Sequence, residues 1–365
     1  MNNIGLYLHI PFCKSKCPYC DFYSFSGKDS EKNEYTKILK GRILSSIFAL
    51  QRKGDTLYIG GGTPSALGAE NLKILVDTCK NDFLTDDAEI TVECNPHGLN
   101  EDFFRILYNS GVNRISLGLQ SAIDSERRIL GRLSDRNQVE KAVKMAQRVG
   151  FENITLDVML GIPEQTEKSL KETLDFCLSL DVPHISAYML KLEENTHFYK
   201  NQSKYNFPDD DLTADLYLQM CETLEANGIM QYEISNFAKS GFESRHNLKY
   251  WYCEEYLGLG PSAHSFLNGK RFYFDRDFVS FMNDNPPIDD GFGGDFTEYV
   301  MLNLRLVEGL SENKVFERFG HSIPKELYEK SKIFIDNGYM IKNSNGLALT
   351  RKGFLMSNSI LAEIL

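Results

Sequence analysis

Residues 4–20 read Ile-Gly-Leu-Tyr-Leu-His-Ile-Pro-Phe-Cys-Lys-Ser-Lys-Cys-Pro-Tyr-Cys, an apolar stretch that runs directly into three closely spaced cysteines. The nearly continuous apolar residues at 5–10 predict a strand that is buried on both faces. Cys13, Cys17 and Cys20 follow with spacings of three and then two residues. Ligands gather at the carboxyl ends of parallel strands. The cysteine loop therefore indicates a binding site at the end of the first strand.

The same alternation of short apolar runs and longer amphipathic stretches continues to about residue 190. Strands are predicted at 5–10, 56–60, 89–93, 114–118, 154–160 and 184–189. Helices are predicted at about 31–51, 69–80, 101–109, 136–149 and 167–180. Repeated βα units favour a parallel sheet with right-handed crossovers. We therefore predict an α/β fold, a partial (βα)6 barrel.

The rest of the chain predicts an extension and a small second domain. A helix is expected at 212–227, and turn formers at 283–295 indicate a linker. Helical patterns at 297–306, 312–319 and 325–337, a hairpin at 339–350 and a last helix favour a winged-helix-like domain. The predicted division is a barrel with extension at 1–282, a linker at 283–295 and a C-terminal domain at 296–365.

Composition and charge exclude several classes of function. Of 365 residues 42% are hydrophobic, and the formal net charge of −11 disfavours a general nucleic-acid binder. Residues 296–365 hold nine Lys and Arg against eight Asp and Glu, so a docking or lid role is favoured over DNA binding. No apolar run is long enough for a transmembrane segment, and residues 1–5 do not resemble a secretory signal. We expect a cytosolic protein.

The cysteines divide into two groups. Five are scattered and are expected to be small buried side chains: Cys79, Cys94, Cys177, Cys221 and Cys253. The three in the loop favour a [4Fe-4S] cluster whose fourth iron has no protein ligand. A zinc ion, with His9 as a fourth ligand, remains the alternative.

Four motifs together resemble the radical S-adenosylmethionine (SAM) superfamily and, within it, the oxygen-independent coproporphyrinogen III oxidases and their HemW-type relatives. They are Tyr7-Leu-His-Ile-Pro-Phe-Cys13, Gly60-Gly-Gly-Thr-Pro-Ser65, Val92-Glu-Cys-Asn-Pro96 and Ser116-Leu-Gly-Leu-Gln120. The resemblance covers almost the whole chain. It implies that a reduced cluster transfers an electron to SAM, which splits into methionine and a 5′-deoxyadenosyl radical.

The resemblance also implies the residues that bind SAM. A first molecule would contact Tyr7, Gly61 and Glu93. A second, present in the oxidases, would contact Tyr19, Gly62, Thr63, Gln120, Arg132 and Asp157. Arg132 and Asp157 are suited to the carboxylate of SAM and to its amine or hydroxyls.

Two departures from the oxidase pattern favour the HemW-type heme chaperones. Phe22 stands where the oxidases carry a further cysteine, and only 12 residues precede Cys13. The segment Arg245-His-Asn-Leu-Lys-Tyr-Trp251 holds the His-Asn-x-x-Tyr-Trp motif of that branch, so His246 is predicted to bind heme iron. His264 and Cys253 are weaker candidates, and a hydrogen-bonded core histidine is the competing interpretation of His246.

The leading hypothesis is therefore a heme chaperone that passes heme to an acceptor protein, a respiratory one by family resemblance. Oxidative decarboxylation of coproporphyrinogen III is the enzymatic alternative, so whether the chain is an enzyme stays open at this point. Radical-based modification of RNA shares the cysteine loop but is disfavoured by the acidic balance.

Overall fold

Six parallel strands alternate with helices over the first half of the chain, in a computed structural model that describes residues 3–365. The strands are β1 (Ile4–Ile10), β2 (Gly54–Gly61), β3 (Leu84–Cys94), β4 (Arg114–Gln120), β5 (Asn153–Leu160) and β6 (His184–Met189). The helices are α1 (Asp29–Leu50), α2 (Ala69–Asp82), α3 (Glu101–Ser110), α4 (Asp124–Ile129), α5 (Arg136–Val149) and α6 (Glu167–Ser179). The strands are neighbours in chain order, so the predicted partial (βα)6 barrel is confirmed. Helix α4 was not predicted, because six mostly polar residues are too short for a periodic pattern.

The extension widens this sheet at both edges. Its helices are α7 (His197–Lys200), α8 (Asp210–Ala226), α9 (Arg245–Trp251) and α10 (Phe278–Met282). Its strands are β7 (Met230–Gln231), β8 (Asn236–Ala238), β9 (Tyr256–Leu259), β10 (His264–Leu267), β11 (Lys270–Tyr273) and β12 (Ile288–Phe292). Strand β8 pairs with β6, whereas β9 returns to pair in parallel with β1. Because β1 and β6 each pair with an added strand, the barrel stays open between them.

The segment predicted as a linker, 283–295, contains regular secondary structure. It contains β12, an edge strand that pairs antiparallel with β11. All five residues of β12 are exposed, which explains why its composition resembles a loop. The division of the chain into domains at this segment stays a prediction.

The last part of the chain has the element order of a winged helix. It comprises α11 (Phe296–Asn303), β13 (Leu310–Ser311), α12 (Glu312–Phe319), α13 (Lys325–Asp336), β14 (Met340–Asn343), β15 (Gly346–Leu349), α14 (Arg351–Leu355) and α15 (Ser357–Ile364). The three strands form a separate sheet in the order β13-β15-β14. The side chain of Asn303 donates a hydrogen bond to the carbonyl of Trp251 at 3.2 Å, so this unit packs against α9.

Alternation along the six strands separates two environments. Residues such as Leu6, Leu8 and Ile10 of β1 pack under the helices in the apolar core. Their neighbours Tyr7 and His9 point into the barrel, where the side chains are largely polar. Buried polar groups need hydrogen-bond partners, and the barrel interior must supply them.

Helix α9 supplies those partners at the amino-terminal end of the barrel. The Glu89 carboxylate accepts hydrogen bonds from the backbone N–H groups of Arg245 and His246, both at 3.0 Å. The His246 ring is fully buried, with Nδ1 2.8 Å from Thr56 Oγ1 and Nε2 2.8 Å from the Tyr250 hydroxyl. We call α9 the plug helix, because it closes the end of the barrel opposite the cysteine loop.

Replacing the buried histidine tests this role. We expect His246→Ala to lower the free energy of unfolding by about 3 kcal/mol, because it removes two buried hydrogen bonds and leaves a cavity. Urea unfolding followed by the fluorescence of Trp251, the only tryptophan, measures the loss. The exposed His264 is the matched control, and its replacement by Ala is expected to change stability by no more than about 0.5 kcal/mol. Equal stability of the two variants would contradict the stabilising role of His246 in the plug helix.

Candidate functional site

A cavity of about 900 Å³ opens at the carboxyl ends of the six strands. All but two of the predicted site residues line it: Cys13, Cys17, Tyr19, Cys20, Gly61, Gly62, Thr63, Glu93, Gln120, Arg132 and Asp157. The other two, Tyr7 and His246, lie deeper in the barrel. The rule that ligands gather at strand ends therefore brings together residues that are up to 144 positions apart in the chain.

Backbone hydrogen bonds attach the cysteine loop to the glycine segment after β2. Gly62 N–H donates to the Ile10 carbonyl and Thr63 N–H donates to the Phe12 carbonyl, both at 2.8 Å. The base of the loop is closed by Cys13 N–H, which donates to the Phe25 carbonyl at 2.9 Å. Cys13 Sγ lies 3.2 Å from Thr63 Oγ1. The first thiol is thus held at the cavity wall by the segment that the sequence predicts for SAM.

The three loop thiols are half-buried and line the same cavity. Within residues 3–365, no three His, Cys, Asp or Glu side chains converge as the ligands of a single metal ion do. In a four-iron cluster each thiolate binds a different iron, so the sulfur atoms stay apart. Three thiols on one loop beside a cavity provide the protein ligands that such a cluster needs.

Gly61 must be glycine for two reasons. Its φ of +111° is a backbone conformation that side chains disfavour. A Cβ there would lie 2.6 Å from the ring of His9. The close approach of β2 to β1 leaves the Gly61 and Gly62 backbone open to the cavity.

Two buried carboxylates, those of Glu93 and Asp157, line the cavity. Glu93 accepts a hydrogen bond from the Tyr58 hydroxyl at 2.7 Å, and Asp157 accepts one from Ser116 Oγ at 3.0 Å. Burial, with a smaller contribution from Asp157, raises the pKa of Glu93 to about 7. Burial likewise raises the pKa of Asp157 to about 6. Both groups change charge near neutral pH, which is typical of ligand-binding carboxylates.

Arg132 also lines the cavity, and not all of its hydrogen-bond donors have partners. Its Nη2 donates to the Gly118 carbonyl at 2.8 Å, whereas its buried Nε has no partner. Gln120 is oriented by the Tyr188 hydroxyl, which donates to its Oε1 at 2.8 Å. An unpartnered buried guanidinium nitrogen beside a cavity is suited to an anionic ligand.

The remaining candidates lie elsewhere. Tyr7 is held behind the cavity wall, with its hydroxyl 3.1 Å from His9 Nδ1. Burial, together with Lys249 and Arg114, lowers the pKa of His246 to about 3, so the ring is neutral but has no unengaged nitrogen. His264 is exposed outside the cavity, and Cys253 is buried. The other scattered cysteines are also buried, as predicted.

Sequence reasoning missed the residues that hold the ligand-facing groups in place. Tyr58, Ser116 and Tyr188 are each at an inward-facing position in the alternation of a predicted strand. That alternation is the signal from which they could have been predicted. Sequence reasoning also missed His97, which follows β3 and lines the cavity. No residue of 296–365 lines the cavity, so the C-terminal unit is not its lid in this structure.

Comparisons with known proteins agree with this architecture. Residues 7–177 match the radical SAM superfamily, and residues 296–356 match the HemN C-terminal domain. The heme chaperone HemW of Bacillus subtilis (strain 168) is 34% identical over 372 residues, which cover 98% of each chain. HemW of Escherichia coli (strain K12) is 33% identical over 377 residues, which cover 98% of this chain and 97% of that one. The chain belongs to the HemW family of the radical SAM superfamily.

The fold of this HemW-family chain is shared with a solved enzyme structure. Coproporphyrinogen III oxidase (HemN) from Escherichia coli, described as a radical SAM enzyme, superposes with a TM-score of 0.84. The alignment covers 99% of this chain and 90% of that one at 20% identity, which shows a common fold. Among residues 3–365, no helix has the length and apolar character needed to cross a membrane.

Gly61 offers a direct test of the cavity wall. We expect Gly61→Ala to lower the free energy of unfolding by about 3 kcal/mol, because backbone strain and a clash with His9 add together. Gly68 is the matched control, since its φ is also positive at +92° but a Cβ there would meet nothing within 4 Å. Thermal unfolding of both variants separates the clash from the strain, and equal losses would contradict the close approach of β2 to His9.

Proposed function

We propose that this chain binds heme and passes it to an acceptor protein, a respiratory one by family resemblance, in the cytosol. The observation that carries the proposal is the near-complete alignment with the HemW relatives, whose name describes them as heme chaperones. The acidic charge of −11 is compatible with a protein or small-molecule partner. In a reducing cytosol the eight cysteines would stay as thiols.

The proposal includes a [4Fe-4S] cluster on Cys13, Cys17 and Cys20. Three half-buried thiols on one loop and an adjoining cavity support it. When bound, the cluster supplies one-electron chemistry toward SAM. The hydrogen bonds from Gly62 and Thr63 would keep the loop in position against the cavity.

The cavity also supports a SAM site. The Glu93 carboxylate is suited to the ribose hydroxyls of the first SAM molecule, and the unpartnered Nε of Arg132 is suited to the carboxylate of the second. The open backbone at Gly61 and Gly62 would allow close contact with the methionine part. Tyr7, which does not line the cavity, would act by orienting His9 behind Gly61. Tyr19, Thr63, Gln120 and Asp157 complete the predicted set.

Phe22 supports a carrier over a decarboxylating enzyme. The oxidases carry a cysteine at this position, and here a phenylalanine is 67% exposed at the mouth of the cavity. An exposed aromatic ring beside an open cavity is suited to a flat apolar ligand such as a porphyrin. Heme binding by His246 stays a prediction, and it requires that Thr56 or Tyr250 release the ring.

Titration with hemin tests the proposed function. Anaerobically reconstituted protein mixed with hemin is expected to shift the Soret band and to saturate at a fixed stoichiometry. The matched assay supplies coproporphyrinogen III, SAM and a reductant, and no protoporphyrinogen is expected. Absence of a Soret shift would contradict the proposal. Turnover of coproporphyrinogen III would replace it with the oxidase.

The raised pKa of Glu93 predicts how SAM binding depends on pH. Only the ionised carboxylate accepts hydrogen bonds from both ribose hydroxyls, and with a pKa of about 7 the ionised fraction rises strongly between pH 6 and pH 8. SAM affinity is expected to rise by up to about tenfold over this interval. Calorimetry on the reconstituted protein and on Glu93→Gln checks it. Glu93→Gln should lose most of the rise in SAM affinity between pH 6 and pH 8. If the variant keeps the full rise, the pH dependence belongs to another titratable group.

A further inference from the structure

Six of the seven histidines are unsuited to a ligand in the cavity. Three are buried in the barrel with both ring nitrogens hydrogen-bonded: His9, His184 and His246. Three are exposed and do not line the cavity: His197, His264 and His321. The buried rings contribute to the structure of the barrel, and the exposed rings lie away from the site.

His97 differs from all six. It lines the cavity and is half-buried. Its Nδ1 is buried and has no hydrogen-bond partner, and within the described residues neither ring nitrogen takes part in a hydrogen bond. Nε2 is therefore the ring nitrogen that a ligand can reach. An imidazole with an accessible nitrogen is a good axial ligand for heme iron.

The loop that carries His97 is fixed in place. Asn95 N–H donates to Ser65 Oγ, and His97 N–H donates to Asn95 Oδ1, both at 3.1 Å. The loop is thereby attached to the segment after β2 that also holds the cysteine loop. A ligand bound by His97 would lie within the same cavity as the three thiols.

The mouth of the cavity carries exposed apolar side chains. Phe22 is 67% exposed, Leu133 is 47% exposed and Met189 is 38% exposed, and all three line the cavity. Phe22 comes after β1, Leu133 comes after α4 and Met189 ends β6, so the three side chains reach the cavity from separate parts of the barrel. The cavity volume of about 900 Å³ is near the top of the range of small-molecule sites, roughly 300–1,000 Å³. A rim of this kind is suited to the face of a large apolar ring system.

Lys14 supplies a positive charge at the same place. It lines the cavity, and its Nζ lies 3.3 Å from the position that a Cβ on Gly98 would occupy, next to His97. Of the other lysines that line the cavity, Lys191 is paired with Glu193 and Lys16 donates a hydrogen bond to the Phe22 carbonyl, whereas Lys14 forms neither an ion pair nor a hydrogen bond within the described residues. An unpaired ammonium beside an apolar rim is suited to a carboxylate such as a heme propionate.

We infer that heme binds at the mouth of the cavity, with His97 Nε2 as an axial ligand to the iron and Lys14 beside a propionate. This inference rests on the proposed function and assigns heme a site other than the plug helix. Heme would then lie on the cysteine-loop side of the barrel, so its release would be coupled to the occupant of the cavity below.

The test is a hemin titration of the reconstituted full chain. We expect His97→Ala to raise the dissociation constant of hemin by at least about tenfold and to remove the Soret position and ferric electron paramagnetic resonance signal of histidine-ligated heme. His97→Met, which keeps an iron ligand, should bind hemin more tightly than His97→Ala does, with a Soret band shifted from that of the wild type. His264→Ala is the matched control and should bind as the wild type does.

Lys14→Ala gives an independent readout. It should weaken hemin binding severalfold but leave binding of hemin dimethyl ester unchanged, because the ester has no propionate charge. If the wild type binds no hemin, the proposed function fails. If the wild type and His97→Ala bind hemin with the same affinity and spectrum, the function stands and the His97 site is wrong. Loss of heme only in a folded His246→Ala variant would also overturn the inference.

Discussion

The carboxylate of Glu89 attaches the plug helix to the barrel. It accepts two backbone hydrogen bonds from the first turn of the plug helix, at a point where β3 enters the barrel. Through this contact a segment from beyond residue 240 is fixed under strands from the first hundred residues. The polar side chains at that end of the barrel, Thr56 among them, then find their partners in His246 and Tyr250. Without the plug they would be buried and unpaired, which is costly in a low-dielectric interior.

The histidines inside the barrel differ between its two ends. At the amino-terminal end the ring nitrogens of His184 and His246 are each hydrogen-bonded, so these side chains stabilise the barrel. At the other end Arg132 and His97 each have a buried nitrogen without a hydrogen-bond partner, and burial raises the pKa of Glu93 to about 7. Unsatisfied polar groups are tolerated where a ligand completes them. The same types of side chain therefore stabilise the fold at one end and are available for binding at the other.

The sequence predicts the barrel well because its signals are local. Continuous apolar runs identify the six strands, and the cysteine loop and the glycine segment follow strand ends directly. The return of β9 to β1 has no such signal, since four residues pair with a strand some 250 positions earlier. His246 and His97 show the limit for the site. Both are histidines beside aromatic or turn residues, and only the three-dimensional arrangement shows that one ring is engaged and the other is not.

The two ends of the barrel also differ in when their chain segments leave the ribosome. The cysteine loop needs only residues up to Thr63 for its backbone contacts, whereas the plug needs residues from Arg245 onward. At about 5–20 residues per second, synthesis of the intervening chain takes roughly 10–40 s. During that time the contacts of the cysteine loop can form while the opposite end of the barrel is still open. The backbone contacts of the cysteine loop and the closure of the barrel by the plug helix are thus separated in the order of synthesis.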